Sequence, residues 1–290
     1  MADGRLRQLL AGPRVVRAVG AHNGLGAKLA QRAGFEAVWA SGFEISASYA
    51  LPDSSLLTMT QLLDCAEAMA AACDLPVIAD CDTGFGGPLN VAHAVRSYER
   101  RGIAGICVED KVFPKINSFA AVPHDLVPVE DFAQKIKAGK AAQSTEDFMV
   151  IARTEALVSG FGVDEALARA RVYRAAGADA ILVHSTSRSP QQVLDFAARW
   201  ELGTPLVAVP TTYDGVHERD LFAAGFHLVI YANHGIRAAI QGATEALAVL
   251  AKAGHGRAVA DRIVPISEVF ALQGMTAGVS FAAETPGERS

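Results

Sequence analysis

Short runs of β-branched and other apolar residues recur along this chain, and a stretch of helical character follows each of them. The first run is VVRAVGA and the last is LVIYAN. The runs occupy residues 15–21, 37–42, 76–82, 105–110, 148–155, 180–185, 205–210 and 228–233. Their number, about eight, is what a closed parallel barrel requires. The repetition therefore predicts an α/β chain that folds as a (β/α)8, TIM-type barrel.

A doubly wound open sheet would show the same alternation of strand and helix. It is disfavoured because no G-x-G-x-x-G motif follows the first run. The segment AHNGLGAKLAQRAG has its glycines at another spacing, and we interpret it as a loop and a helix start. Helices are predicted at 89–102 and 163–177, each ending at a glycine, Gly102 or Gly177.

The length of 290 residues and the hydrophobic content of 51% suit either two domains or one large barrel of about 250 residues, and no low-complexity linker divides the chain. We predict a single domain, with the barrel at about 14–240, a helical extension at about 241–275 and a tail at 276–290. Apolar helix beyond a complete barrel has to be covered, and a partner subunit is the expected cover.

The charge pattern argues against a nucleic-acid or membrane partner. There are 26 basic and 31 acidic residues, giving a net charge of -5, and neither sign forms runs. No span of about 20 apolar residues and no cleavable signal is found, so we expect a cytoplasmic protein with a small-molecule substrate. Four scattered cysteines lack metal-type spacing and are expected to be core thiols.

Polar residues gather where the predicted strands end, which is the face that carries the active site in barrels of this kind. In chain order these residues are Ser41, Gly42 and Asp53, then Asp80 and Asp82, then Glu109 and Asp110, then Arg153 and Glu155, then His184, then Thr211 and Thr212, and finally Asn233 and His234. Acids dominate the early strands and cations the later ones.

The acids of the third and fourth strands predict a metal site. Asp80 and Asp82, two positions apart on a strand, should point to one side, which Glu109 of the next strand shares. A single acid there could cap a helix or pair with an arginine, but crowded carboxylates need a cation. Oxygen ligands without His or Cys favour Mg²⁺ or Mn²⁺.

Arg153 lies inside an apolar strand, where a guanidinium requires an anionic partner. It either pairs with Glu155 or another acid, or it binds a substrate carboxylate or phosphoryl group. His184 is compatible with a structural role and with acid/base or phosphoryl contact. Arg188, among hydroxyls in STSRS, is either a surface charge or an anion contact.

The motifs ASG, DCDTGFGG, VEDKVFPKINS, ARTEA, ILVHS and YANHGIRA occur in this order at the strand ends. With them the chain resembles the phosphoenolpyruvate mutase and isocitrate lyase superfamily, from about residue 14 to about residue 273. The resemblance implies a barrel that binds Mg²⁺ (or Mn²⁺ or Co²⁺) and an α-keto acid. It also implies a homodimer or homotetramer in which the last helix is swapped between subunits.

The resemblance also implies roles for individual residues. Asp80 would bind the metal directly, and Asp53, Asp82 and Glu109 would hold its waters, with Asp53 also counted among the catalytic residues. The pyruvyl group would lie against Trp39, Ser41, Gly42, Phe43 and Arg153. A gating loop would bring Lys115, Asn117 and Ser118 to the substrate, and His184 and Arg188 would act on the phosphoryl side.

The gating loop separates the branches of the superfamily. Its lyase branch carries a catalytic cysteine in a Lys-Lys-Cys-Gly-His motif, whereas this chain has KINS. The following segment, FAAVPHDLVPVEDF, is shorter and more apolar than in the mutases and lacks their Gly-Arg. Together with Arg188 after the sixth strand, this favours hydrolysis of phosphonopyruvate to pyruvate and phosphate, with phosphoenolpyruvate mutase as the alternative. An oxaloacetate-type C–C hydrolase or lyase and a non-catalytic keto-acid-binding protein are further alternatives.

A mechanism follows as a hypothesis. A metal on the keto oxygen would make pyruvate enolate a tolerable leaving group, so that the C–P bond could break. The charge of the loose transition state would be stabilised by the side chains of Arg153, His184, Lys115, Asn117 and Arg188. Water as acceptor gives hydrolysis, and recapture by the enolate oxygen gives the mutase reaction.

Overall fold

The computed structural model describes residues 4–275, so the predicted tail at 276–290 lies outside the described residues. Eight strands occur where the apolar runs predict them. They are β1 Val16–Ala21, β2 Ala37–Ala40, β3 Val77–Asp80, β4 Gly105–Glu109, β5 Met149–Thr154, β6 Ala180–Val183, β7 Leu206–Ala208 and β8 Phe226–Tyr231.

The strands form one closed parallel barrel in the order β1 to β8. Closure is made by β1 and β8, which pair in parallel with Ala18 opposite Ile230. An open doubly wound sheet would leave two edge strands, so that alternative is excluded. The predicted (β/α)8 barrel is confirmed.

Helices connect the strands and surround the barrel. They are α1 Arg5–Leu10, α2 Gly24–Arg32, α3 Gly42–Ser48, α4 Met59–Ala72, α5 Pro88–Arg100, α6 Val129–Ala142, α7 Gly162–Ala175, α8 Gln191–Ala198, α9 Glu218–Ala223, α10 His234–Ala253 and α11 Ile266–Leu272, with a 3-10 helix at Gly256–Val259. The two predicted helices correspond to α5 and α7. Proline begins α5 because its missing N–H is not needed in the first turn, and Gly177, with φ 104°, follows the end of α7.

The core has two layers because alternate strand residues point to opposite sides of the sheet. One layer fills the barrel and includes Trp39, Ile151 and Leu228. The other lies between strands and helices and includes Phe132 and Tyr173, whose ring centroids are 4.6 Å apart. The four cysteines are free thiols, and Cys81 and Cys107 are buried.

The chain divides into two compact units, Met1–Arg237 and Ala238–Ser290. The first contains the barrel, and the division lies near the predicted start of the C-terminal extension. Within the second, large apolar side chains are exposed, among them Leu247, Val264 and Ile266. Between residues 4 and 275, no helix is long and apolar enough to cross a membrane.

Candidate active site

A cavity of about 70 Å³ lies at the carboxyl ends of the strands. It is lined by Trp39, Ser41, Phe43, Asp53, Asp80, Lys115, Asn117, Ser118, Phe119, Arg153, His184, Val209, Thr211, Ala232 and Asn233. Ten of these residues were predicted as site residues from the sequence. A larger cavity, of about 600 Å³, is lined by residues near the amino ends of the strands, such as Arg14 and Glu36, where the acidic strand ends are not found. The smaller cavity is therefore the candidate active site.

The helix that follows β2 positions the part of the site at residues 41–43. Ser41 is the N-cap of α3, and its side chain accepts a hydrogen bond from the backbone N–H of Glu44 at 3.2 Å. A β-carbon added to Gly42 would lie 3.3 Å from Asp80 Oδ2 and 3.4 Å from Asp82 Oδ1. The backbone of Gly42 therefore lies directly against the acidic group.

One detail of the predicted acidic group is corrected. Strand β3 ends at Asp80, so Asp82 is not on the strand, and its φ of 50° lies in the left-handed region. The backbone N–H of Asp82 donates to Asp80 Oδ1 at 3.2 Å. This turn, rather than the alternation of a strand, keeps the two carboxylates near one another.

Lys115 enters the acidic group from the loop after β4. Its Nζ lies 2.8 Å from Asp53 Oδ1 and 3.1 Å from Asp82 Oδ1, and only 5% of its side-chain surface is exposed. Burial alone would lower the pKa of Lys115, but Asp82 and Asp53 raise this pKa well above its ordinary value. The ammonium group is therefore charged and neutralises part of the acidic group.

The remaining acids are less well compensated. Burial, with repulsion from Asp82 and Glu109, raises the pKa of Asp80 to about 7 although Lys115 acts against the shift. Asp82 Oδ1 and Glu109 Oε1 are buried, and the cations near them are Lys115 Nζ, 3.1 Å from Asp82 Oδ1, and Lys111 Nζ, 3.9 Å from Glu109 Oε1. Buried carboxylate oxygens with so few donors fit the water shell of a cation.

The described residues do not bring three acidic, His or Cys side chains close enough to bind one ion together. An ion held here would therefore have few direct protein ligands and would keep several waters, as Mg²⁺ commonly does. Burial raises the pKa of both Asp80 and Asp82, so a bound cation would stabilise the charged forms of these two carboxylates.

The carboxylate of Glu155 lies among the basic side chains of the site. Its carboxylate contacts Arg153 Nε and lies 3.0 Å from His184 Nδ1, 2.7 Å from Ser118 Oγ and 3.3 Å from Lys111 Nζ. Burial alone would raise the pKa of Glu155, but Arg153 and His184 hold this pKa well below its ordinary value. The carboxylate is ionised and fixes the side chains around it.

Both sequence interpretations of Arg153 find support in its contacts. Its Nε lies 3.2 Å from Glu109 Oε2 and also contacts Glu155, so the guanidinium is in a buried ion pair. It also lines the cavity, and its Nη2 lies 3.0 Å from His184 Nδ1. Burial lowers the pKa of His184, and the neighbouring carboxylate of Glu155 acts against this shift.

The loop after β4 lies closed over the cavity. At its neck, Lys111 forms an antiparallel bridge with Leu126. At its tip, Asn117 donates from its side chain to Asp53 Oδ2 at 2.7 Å and from its backbone to Asp53 O at 3.1 Å. The ring of Phe119 meets the ring of His184 edge-on, with centroids 5.8 Å apart.

Asp110, the second acid of the EDK motif, supports the site from behind. Its carboxylate accepts from the backbone N–H of Glu155 at 2.8 Å, from Tyr173 OH at 2.7 Å and from Arg169 Nη1 at 3.3 Å. Asp110 therefore joins the end of β4 to the residue that follows β5, which fixes the backbone of Glu155.

Arg188 is the predicted catalytic residue that the structure does not bring to the cavity. Its side chain is exposed and is not part of the lining. Ser185 Oγ accepts the N–H of Ser187, and Ser187 Oγ accepts the N–H of Ser189, each at 3.1 Å. These serine turns hold the loop while position 188 stays in solvent, so the geometry does not support a catalytic role.

Sequence reasoning left out other residues that contribute to the site, notably Lys111 and Phe119. Their signals were weak: Lys111 directly follows the acidic pair, and Phe119 directly follows the KINS segment. Glu155 was placed at the strand ends and considered as a partner of Arg153, but it was given no contact with the loop.

Comparison with known proteins gives a consistent set of relatives. The family model described as phosphoenolpyruvate phosphomutase matches residues 6–251. The chain is 45% identical to phosphonopyruvate hydrolase of Variovorax sp. (strain Pal2), with 93% of each chain covered. It is 42% identical to phosphoenolpyruvate phosphomutase of Streptomyces hygroscopicus, covering 93% of this chain and 87% of the relative.

Solved structures of both kinds are also similar. A phosphoenolpyruvate phosphomutase from Streptomyces platensis subsp. rosaceus superposes with a TM-score of 0.93 and 53% identity, covering 95% of this chain and 96% of that one. A phosphonopyruvate hydrolase in complex with oxalate and Mg²⁺ superposes with a TM-score of 0.89 and 44% identity, covering 94% and 95%.

Proposed function

The chain belongs to the phosphoenolpyruvate phosphomutase family, and we propose that it transfers a phosphoryl group from the carbon of phosphonopyruvate with the help of a divalent cation. Two acceptors are compatible with this chemistry. If the enolate oxygen takes the group, a C–P bond breaks, an O–P bond forms and the product is phosphoenolpyruvate. If water takes the group, the carbon gains a proton and the products are pyruvate and phosphate.

The divalent cation is supported by the chemistry of the acids. Asp80 would bind it directly, and Asp53, Asp82 and Glu109 would hold its waters; Glu109 Oε1 is buried without a hydrogen-bond donor among the described residues. Mg²⁺ is the first choice, with Mn²⁺ and Co²⁺ as alternatives. When bound, such an ion would polarise the keto oxygen and lower the energy of pyruvate enolate.

The side chains divide the cavity into two ends. Trp39, Ser41, Gly42 and Phe43 would shape the pyruvyl end, as in the family to which the chain belongs. Arg153, His184, Lys115, Asn117 and Ser118 would surround the phosphoryl end. There the cations and the amide would stabilise the charge that spreads over the phosphoryl oxygens in a loose transition state.

The mutase reaction is the first candidate, although the sequence alone favoured the hydrolase. The observation that carries it is the closed loop: Asn117 is held by Asp53, and the ring of Phe119 covers His184. A phosphoryl group has to be kept from water if the enolate oxygen is to recapture it. The 53% identity to a structure described as a phosphomutase supports the same candidate.

Hydrolysis is the second candidate. It is supported by the short apolar segment after Asn117 and Ser118 and by the 45% identity to a phosphonopyruvate hydrolase. The segment is where access of water to the phosphoryl group would be decided.

Phosphorus NMR of the purified protein with phosphonopyruvate and Mg²⁺ distinguishes the candidates. A phosphoenolpyruvate signal identifies the mutase and an inorganic phosphate signal the hydrolase. Turnover of oxaloacetate, with neither phosphorus product, would instead favour the C–C hydrolase or lyase alternative. If none of the three compounds phosphonopyruvate, phosphoenolpyruvate and oxaloacetate is turned over, the non-catalytic binding protein is favoured.

We further propose that the protein is a homodimer or homotetramer in which the C-terminal helices are exchanged. The exposed apolar side chains of the second unit, such as Leu247 and Ile266, support this because water-exposed apolar faces are commonly covered by a subunit. Light scattering coupled to gel filtration measures the mass directly, and a monomer at micromolar concentration would contradict the proposal. The cytoplasmic location expected from the sequence stays a prediction.

A further inference from the structure

Lys111 is a buried lysine for which the proposed chemistry has no use. Only 3% of its side-chain surface is exposed, and its backbone stands at the neck of the loop opposite Leu126. A buried ammonium group is costly unless it is well partnered, so its partners indicate what it does.

The ammonium group of Lys111 binds the tip of its own loop. Its Nζ donates to Ile116 O at 3.0 Å and to Ser118 Oγ at 2.6 Å. Ile116 and Ser118 are the two neighbours of Asn117. Lys111 therefore fixes the backbone on both sides of the residue whose amide reaches the cavity.

The same contacts connect the loop to the barrel. The hydroxyl of Ser118 accepts from Lys111 and, at 3.3 Å, from Arg153, and it donates to Glu155 at 2.7 Å. One donor and two acceptors are all that a hydroxyl offers, so its capacity is fully used. Because Glu155 and Arg153 belong to the barrel, this arrangement is complete only when the loop is closed.

Glu155 also needs Lys111 electrostatically. Two carboxylates, Glu109 and Glu155, face the guanidinium of Arg153, and Lys111 Nζ lies near both, at 3.3 Å from Glu155 Oε2 and 3.9 Å from Glu109 Oε1. The ammonium group at the loop neck thus contacts both the tip of the closed loop and the buried carboxylate of Glu155.

We propose that Lys111 is a positioning residue that holds the loop closed and so keeps water from the transferring phosphoryl group. The effect on products rests on the proposed function, whereas the effect on loop closure does not. Lys111 is not expected to touch the substrate, because it is not part of the cavity lining.

The test begins with Lys111→Met, which removes the charge and keeps most of the length. Chymotrypsin cleaves after exposed aromatic residues, and Phe119 lies in the loop. We expect cleavage there to become about tenfold faster, because proteolysis follows the population of the open form. We also expect turnover to fall about 100-fold and the ratio of phosphate to phosphoenolpyruvate to rise, since misplacement by about 1 Å has effects of that size. Lys111→Arg keeps the charge and the hydrogen-bond donors, so its cleavage rate and its turnover should lie between those of Lys111→Met and the wild type.

Lys135→Met is the matched control. Lys135 is also buried, and its Nζ donates to the backbone oxygen of Thr83 at 2.9 Å, outside the loop. Its loss should lower the unfolding temperature while leaving cleavage after Phe119 and the product ratio as in the wild type. Equal cleavage rates and equal product ratios in the two methionine variants would overturn the proposal.

Two further outcomes are distinguishable. If Lys111→Met does not fold, Ser118→Ala removes the acceptor of the same hydrogen bond, and unchanged cleavage after Phe119 in that variant would overturn the proposal. If the wild-type protein does not turn over phosphonopyruvate, the proposed function fails, but the cleavage rates without substrate still decide the role of Lys111.

Discussion

Replacing Glu155 by Gln is expected to destabilise the protein more than any comparable change of an exposed acid. The substitution keeps the shape of the side chain but removes a charge that faces Arg153, His184 and Lys111 and accepts from Ser118. The glutamine amide can still accept from Ser118, and Glu109 still faces Arg153.

The magnitude follows from these contacts. Removing one partner of a buried ion pair costs about 3–5 kcal/mol, and the contacts that remain place Glu155→Gln at the lower end, about 3 kcal/mol. For a domain of this size, each kcal/mol lowers the unfolding temperature by about 2–4 °C, so we expect a decrease of about 6–12 °C. Glu165→Gln, whose carboxylate is paired with Arg169 at a partly exposed position, should cost no more than about 1 kcal/mol.

The stability difference between the wild type and Glu155→Gln is also expected to depend on pH. The pKa of Glu155 is depressed in the folded protein, so its carboxylate adds stability above the unfolded value of 4.5 and loses this contribution as the pH falls through the folded value. The stability difference between the wild type and Glu155→Gln should therefore be complete at pH 7 and should narrow below pH 4.5. Urea unfolding followed by circular dichroism measures this stability difference at pH 7 and at pH 4. A Glu155→Gln variant within 1 kcal/mol of the wild type at pH 7 would refute the reasoning.

Three other predictions concern the candidate site. Asn117→Ala should reduce turnover about 100-fold with little change in unfolding temperature, because the amide is at the loop tip and not in the core; unaltered turnover would remove the loop from the mechanism. Arg188→Ala should leave kcat/KM within about twofold of the wild type, since the side chain is exposed outside the cavity, and a loss beyond about tenfold would restore Arg188 to the site. EDTA should abolish turnover and Mg²⁺ should restore it, and Mg²⁺ should raise the unfolding temperature of the wild type but not of Asp80→Asn; an equal rise in both would exclude Asp80 as the ligand.

The strands and the barrel could be predicted from the sequence because buried parallel strands read as short apolar runs. Their ends could be predicted too, and with them most of the residues that line the cavity. The direction of a side chain beyond a strand end could not, because it depends on backbone angles that the pattern does not contain. Asp82, with φ 50°, is the clearest example.

Contacts across long stretches of chain were also outside the reach of the sequence pattern. Lys115 meets Asp53, which is 62 positions away, and Glu155 meets Ser118, 37 positions away. The acidic group was therefore expected to depend on a metal alone, whereas Lys115 and Arg153 neutralise part of it. Arg188 shows the reverse case, since its place in the chain suggested a contact with the site, whereas its side chain is exposed and outside the cavity lining.

The neck of the loop has a consequence for how such barrels can change their chemistry. Besides the bridge at Lys111, it is joined by main-chain hydrogen bonds from Val112 N to Asp125 O and from Val127 N to Asp110 O, each 2.9 Å long. Main-chain bonds do not depend on side-chain identity, so the two ends of the loop can stay paired when residues between them are replaced. A segment of another length or composition could be carried by the same two anchor points, provided that its own side chains replace the contacts that Lys115, Asn117 and Ser118 make with the barrel.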